Sequence, residues 1–370
     1  MSVVDKLPGR SSRSARTRER ALRSDIPPMD GAWTPNEDLD GPPALWSGPG
    51  PVDVLPLGDG AAVVVGDSRL ETVVAADPAS RRLLIDLETT VTAACAFGDD
   101  IALATTGGIL LVTQTGVLRQ GPRLPDATFG HVTALASDPS GSLWVAVGSS
   151  VRTTEEWQTD LLIRGRTGSV LRIDPGASDA VLVADGLEWP SGLLPDDSGC
   201  IVSEAWAHRL IRVDDHGRTV LQDDLPGYPG QLSAVPGGGA WLSLFAPRSA
   251  LVDFVMKEER YKEEMIRTLE ARAWVAPQLR TLHHPVEQVQ GGELLVFGQM
   301  KPWAPTRSYG LIARLDENGR ALYSHHSRAN GSRHGIVRSV EDGDRLWVVS
   351  RGSGEVFSLD RTGPELGEGQ

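Results

Sequence analysis

Cysteine is nearly absent: Cys95 and Cys200 are the only two in 370 residues. Two thiols cannot make a disulfide scaffold, and a metal ribbon built on CxxC pairs is excluded. No stretch of 18 apolar residues occurs, which rules out a membrane-spanning helix. A basic surplus is missing too. Lys plus Arg number 36 against 49 Asp plus Glu, a formal net charge of −13, whereas a nucleic-acid partner needs a basic face. GxSxG elbows, P-loops and HExxH helices are all absent.

Turn formers are abundant instead. The 41 glycines and 25 prolines make about 18% of the chain, against a usual ~12%. With 40% apolar residues, this composition favours many short strands over long helices. Residues 1–24 stand apart, with Lys6, Arg10, Arg13, Arg16, Arg18, Arg20 and Arg23 against Asp5 and Glu19. They lack the apolar core of a secretory signal. Residues 1–25 are read as a flexible basic tail on a cytoplasmic protein, and 365–370 as a C-terminal tail.

From about residue 50 a pattern recurs. Small or acidic residues precede a strand-length apolar run at Gly60–Gly66, Asp99–Thr105, Gly141–Val147, Gly199–Ala205, Gly239–Leu244 and Asp344–Ser350. Most are followed by a second strand ending in a turn: Gly168–Gly176, His208–Gly217, Tyr309–Gly319 and Gly354–Gly363. The spacing is roughly 40–50 residues, with the widest gap after Leu244. That is the size of a propeller blade. Six such units over 26–364 predict an all-β, six-bladed β-propeller, closed by an N-terminal strand pairing into the last blade. Gly292–Gly298 (GELLVFG) is read as a hairpin or loop inserted in the fifth blade. Ala250–Ala276 contains no Gly or Pro and spaces its apolar residues helically. It predicts a helical insertion packing on the rim through Leu251, Val255 and Leu269.

Two blocks carry a family resemblance. Gly186–Arg212 reads GLEWPSGLLPDDSGCIVSEAWAHRLIR, and Leu225–Arg248 reads LPGYPGQLSAVPGGGAWLSLFAPR. With Tyr309–Asp316 and Leu346–Ser350 in order, they resemble the strictosidine synthase-like branch of six-bladed propellers, related to gluconolactonase and regucalcin. The resemblance implies a small organic molecule in the central channel. It also implies lactone or ester hydrolysis, or a specialised-metabolism reaction; a non-catalytic ligand-binding propeller is the alternative. Relatives place a divalent metal at the channel top. The matching positions here are Val52, Thr133 or Ala134, Ser191 and Gly230, a set short of oxygen ligands. Asp53 should point to the other face by strand alternation. The expectation is therefore no metal and no cofactor. The synthases keep an acid/base Glu where this chain has Val337 or Arg338.

In a propeller, the loops entering the inner strands meet at one channel end. That makes His131, Trp189, Ser191, Tyr228, Gln231 and His334 pocket candidates. His334 is the expected base, His131 a second base, and Arg338, four residues past His334 and expected on the same strand face, a stabiliser of developing negative charge. Trp303 and Arg307, in the loop Lys301–Tyr309, are candidate substrate contacts. Glu204 is expected to pair with Arg209, and Glu341 to be a solvated turn acid. The pairs His283–His284 and His325–His326 are expected in surface loops. The expected partner is a small-molecule substrate or ligand, with no nucleic acid and no membrane span, and the oligomeric state is open.

Overall fold

A strand gripped between two neighbours in its own sheet, and between two adjacent blades, is buried on both faces and reads as continuous apolar sequence. The six apolar runs are those strands. In the computed structural model, which describes residues 26–125, 128, 130–177, 179–280, 295–296, 299–300 and 307–360, each run forms the second strand of one four-stranded antiparallel sheet. The six sheets surround a channel lined by the inner strands Asp53–Gly58, Val91–Phe97, Val132–Ser137, Pro190–Asp196, Gly227–Ala234 and Ile336–Asp342. The ring closes as expected: Ala44–Ser47 pairs with Glu355–Asp360 as the outer strand of the last blade. No described helix is long and apolar enough to cross a membrane.

Three excursions decorate this frame. Between the second and third strands of blade three, the chain forms a helix at Trp157–Leu162, which the repeat gave no reason to expect. Blade five carries the predicted hairpin, Leu295–Val296 against Gln299–Met300. It also carries the helical insertion, as two helices, Ala250–Val255 and Glu259–Thr268, followed by a 3-10 turn at Ala271–Ala273. Ser249 caps the first helix by accepting from the Val252 N–H. The break near Met256–Glu258 resets the helical phase. Val252, Val255, Met256 and Met265 turn inward; Leu251, in the first helix, is 38% exposed, and Leu269, past the end of the second helix, is 47% exposed. The insertion packs on the rim as expected, but Leu251 and Leu269 do not anchor it.

The N-terminal segment corrects another reading. His325 and His326 lie in the outer strand of blade five, not in a surface loop, because residues 30–40 cover them. Asp38 meets His325 Nδ1 at 2.7 Å, and the Asn36 side chain accepts from the His326 N–H. Glu204 is fully buried, accepting from Arg209 Nε at 2.6 Å and from the Glu188 N–H at 2.9 Å, the structural role expected of it. Glu341 is held by Trp241 Nε1 at 2.7 Å rather than left to solvent. The basic tail, residues 361–370 and His283–His284 lie outside the described residues.

Candidate site at the channel mouth

Four inner strands slip register by one residue near their start, between Val91 and Ala93, Val132 and Ala134, Pro190 and Gly192, and Ile336 and Arg338. A bulge turns the extra residue out of the ladder and re-aims its side chain. The residues so released are Thr92, Thr133, Ser191 and Val337, and all four line a cavity of about 130 Å³ at the channel mouth. Val52, just before the first inner strand, and Gly230 and Gln231, in the irregular start of the fifth, complete the ring.

Aromatic rings wall the cavity. Trp189 stacks on Trp206 at 5.1 Å between centroids, and Trp206 on Trp157 at 6.2 Å. Phe245 meets Trp157 edge-on at 5.5 Å. Trp189 adopts a left-handed backbone (φ 56°), which lets its indole reach this wall. Gly148 makes room: a Cβ there would sit 2.6 Å from Thr133 Cγ2 and 3.1 Å from the Trp189 ring. Trp206 is fixed by donating from Nε1 to the buried Asp160 carboxylate at 2.9 Å.

Apart from Arg351 at the rim, the polar side chains of the lining are neutral. Ser191 Oγ donates to the Pro229 carbonyl at 2.7 Å, and Thr133 Oγ1 faces the Pro190 and Ala146 carbonyls. Gln231 Nε2 donates across the channel to the Thr133 carbonyl at 3.2 Å. At the rim, Arg351 donates to Asp67 at 3.3 Å. No carboxylate belongs to the ring. Among the described residues, no cluster of three or more His, Cys, Asp or Glu side chains could hold a metal. A hard divalent cation needs several oxygen ligands, usually including carboxylates, so this donor set does not fit one.

Charge appears one residue further along two of the same strands. Asp53, 2% exposed, accepts from the Val54 N–H at 2.7 Å. It lies 3.2 Å from Arg338 Nε, an ion pair whose N–H is out of line for a hydrogen bond. Arg338 Nη1 donates to the Leu232 carbonyl at 2.7 Å, so one side chain ties blades one, five and six together. Burial raises the Asp53 carboxyl to about 6, against the opposing pull of Arg338 and the Val54 N–H. Burial, then the nearby Asp53 charge, pushes the Cys95 thiol up to about 12.

The sequence-derived candidates divide. Trp189, Ser191 and Gln231 line the mouth. Tyr228 stands behind it, stacked on Phe245 at 5.6 Å. His131 is outside the lining, its Nδ1 held by the Ser149 carbonyl at 2.8 Å. His334 is buried with both ring nitrogens engaged, by Ser308 Oγ at 2.8 Å and the Arg328 carbonyl at 2.7 Å. It precedes the inner strand, and the bulge at Val337 intervenes, so His334 and Arg338 do not share a strand face as expected. Arg338 pairs with Asp53 instead. Arg307 does not line the cavity, and Trp303 lies outside the described residues. Sequence reading missed Thr92, Trp157, Trp206, Phe245 and Leu279. Trp206 sits inside the quoted SEAWAHR stretch; Trp157 lies in an excursion with no counterpart in the repeat.

No family model matches the chain. Over 107 residues it is 26% identical to the adipocyte plasma membrane-associated proteins of Salmo salar and Danio rerio, a match spanning 26% of this chain and 26% of each relative. Among solved structures it is similar to the calcium-binding protein regucalcin from Agrobacterium tumefaciens, with a TM-score of 0.55 and 14% identity, covering 86% of this chain and 93% of that one. A gluconolactonase from Xanthomonas campestris gives 0.54 and 13%, covering 86% and 88%. These neighbours fit the resemblance read from the sequence, and the chain is a six-bladed propeller with the fold of the regucalcin and gluconolactonase structures.

Proposed function

We propose that this protein binds a small, flat, largely apolar organic molecule at the channel mouth, without a metal ion. The observation that carries the reading is the wall of Trp157, Trp189, Trp206 and Phe245 above a ring of neutral side chains. A cavity of about 130 Å³ is in the size range of one aromatic ring, and stacked indoles suit a flat partner. Ser191, Thr133 and Gln231 supply a few oriented polar contacts, the usual division of labour in small-molecule pockets. The reading keeps the protein cytoplasmic.

A hydrolytic reading is favoured by one observation, the Asp53 carboxyl raised to about 6 beneath the ring, beside the Arg338 cation. A carboxylate so poised suits a general base acting on a water molecule, with lactones or esters as substrates. Asp53, His334 and His131 all lie outside the cavity lining; backbone carbonyls and Ser308 engage both ring nitrogens of His334 and Nδ1 of His131, while Asp53 lies one residue beyond the lining residue Val52.

The test titrates 2-naphthol into the protein and follows tryptophan fluorescence. Saturable quenching that is lost in Trp206→Ala supports the binding reading; no saturation with the native protein sinks it. Turnover of phenyl acetate or δ-gluconolactone that drops roughly 10²-fold or more in Asp53→Asn selects the hydrolytic reading. Elemental analysis after desalting is expected to find less than stoichiometric Ca²⁺ or Zn²⁺. One equivalent, lost on mutating a channel residue, contradicts the metal-free part.

A further inference from the structure

A second cavity, of about 340 Å³, lies on the far side of Trp206, the one residue its lining shares with the channel mouth. Its walls come from the excursion of blade three, the helical insertion, the connection between blades three and four at Glu188, the turn of blade four holding Trp206 and His208, and blade five at Tyr228 and Arg248. Its charge is unlike that of the chain as a whole. The protein carries −13, yet this lining holds four cations, Arg164, Arg166, Arg248 and Lys257, against two carboxylates, Glu188 and Asp253.

The carboxylates only partly offset the cations. Glu188 pairs with Arg166 at 3.0 Å, and Asp253 stands 3.7 Å from Arg248. Arg248 is anchored through Nη1, which donates to Asp224 and to the Leu225 carbonyl. Its Nε is buried and has no hydrogen-bond partner among the described residues. His208 also faces the cavity, its Nδ1 3.1 Å from the Gly227 carbonyl, so that nitrogen is the donor in the neutral ring.

The backbone is bent to hold these groups. Five described non-glycine residues have left-handed φ, and three of them serve this cavity. Arg164 (φ 55°) and His208 (φ 52°) line it, and Asp224 (φ 57°) anchors Arg248. Such conformations persist only where the surroundings enforce them, and they gather at ligand sites.

We infer that this cavity recognises a compact oxyanion, the carboxylate or phosphate group of a small organic molecule. The test uses the full chain at low ionic strength, with sodium phosphate and sodium acetate titrated separately by calorimetry. Saturable binding of either anion, weakening as KCl is added, is expected. Phosphate binding alone assigns a phosphoryl group, acetate binding alone a carboxylate, and both outcomes support the site. Arg164→Gly removes one guanidinium, and with it the hydrogen bond from Nη2 to the Met256 carbonyl at 3.2 Å, while relaxing a left-handed backbone, so the two changes oppose each other in stability. It is expected to weaken the anion at least about tenfold while still unfolding cooperatively, and Lys257→Gln to act in the same direction. Failure of both anions to saturate the native protein overturns the inference. So does native affinity retained in the double variant Arg164→Gly/Lys257→Gln.

Discussion

The channel mouth and the layer just beneath it are built from adjacent residues and have opposite chemistry. Val52 and Val337 line a neutral, aromatic-walled cavity; their neighbours Asp53 and Arg338 form a buried ion pair. At the mouth, binding capacity comes from ring surface, with hydroxyls already committed to carbonyls. Below it, a cation knits three blades and a carboxyl is held close to neutrality in its titration. One bulge or one residue of strand separates a ligand surface from a structural tie, which is why a single-position shift in alignment changes the apparent role of Arg338.

The largest effect is expected at the mouth. Trp206→Ala removes the centre of the aromatic stack and takes away the donor to Asp160, whose other oxygen already lacks a partner among the described residues. Loss of about 3–5 kcal/mol in urea unfolding is expected, as for other buried aromatics, together with loss of 2-naphthol quenching. A loss below about 1 kcal/mol would break the claim that this stack organises the rim.

Arg338→Leu comes next. It leaves Asp53 buried without its cation, a change that typically costs about 3–5 kcal/mol when one partner of a buried pair is removed. Here protonation of Asp53 limits the cost. The loss should be largest above neutrality and smaller near pH 5, and Asp53→Asn/Arg338→Leu should recover most of it. A loss that is the same at both pH values contradicts a burdened carboxylate.

The pH dependence of the native protein follows from the same group. The folded Asp53 carboxyl, at about 6, lies above its unfolded value of about 3.9, so the folded state holds that proton more tightly. Its contribution is full below about pH 4 and is lost as pH rises through about 6, up to roughly 3 kcal/mol. His208 and His326 act in the opposite direction. Burial lowers both to about 3, so their contribution is present above pH 6.5 and lost as pH falls through 3. The difference between native protein and Asp53→Asn isolates the carboxyl: the stability of the native protein relative to the variant should fall between pH 4 and 6.

The smallest effect belongs to the ring. Ser191→Ala removes one hydroxyl that donates to the Pro229 carbonyl. About 0.5–1.5 kcal/mol is expected from the lost hydrogen bond, with folding intact. A much larger loss would mean that the neutral ring carries structural weight, erasing the contrast with the pair below.

Much of the fold was legible because burial left its mark on composition. The second strands are enclosed on every side, so runs such as Ala61–Val65 and Leu143–Val147 are apolar throughout. The outer strand Asp77–Asp86 is exposed along nearly its whole length and carries no such signal. The helical insertion was visible as a segment, but its inward face carries Val252 and Met265 rather than Leu251 and Leu269: Leu251 faces outward on the first helix, and the second helix ends before Leu269. His325 and His326 were misjudged because residues 30–40, distant in sequence, cover their strand.

The sequence by itself determined the six-fold repeat, the closure by an N-terminal strand, and the residue types Val52, Ser191 and Gly230 at the starts of inner strands. These follow from local pattern: turn residues, strand-length apolar runs, and residue types at fixed places in a blade. Tertiary structure alone decided which side chains meet. Asp53 and Arg338 are 285 positions apart yet 3.2 Å from each other, and Trp157 from a helix stacks with Trp206, and Trp206 with Trp189, from two separate loops. Ring closure sets such contacts between distant blades, and bulges set which residue turns inward; neither leaves a periodic trace in the chain.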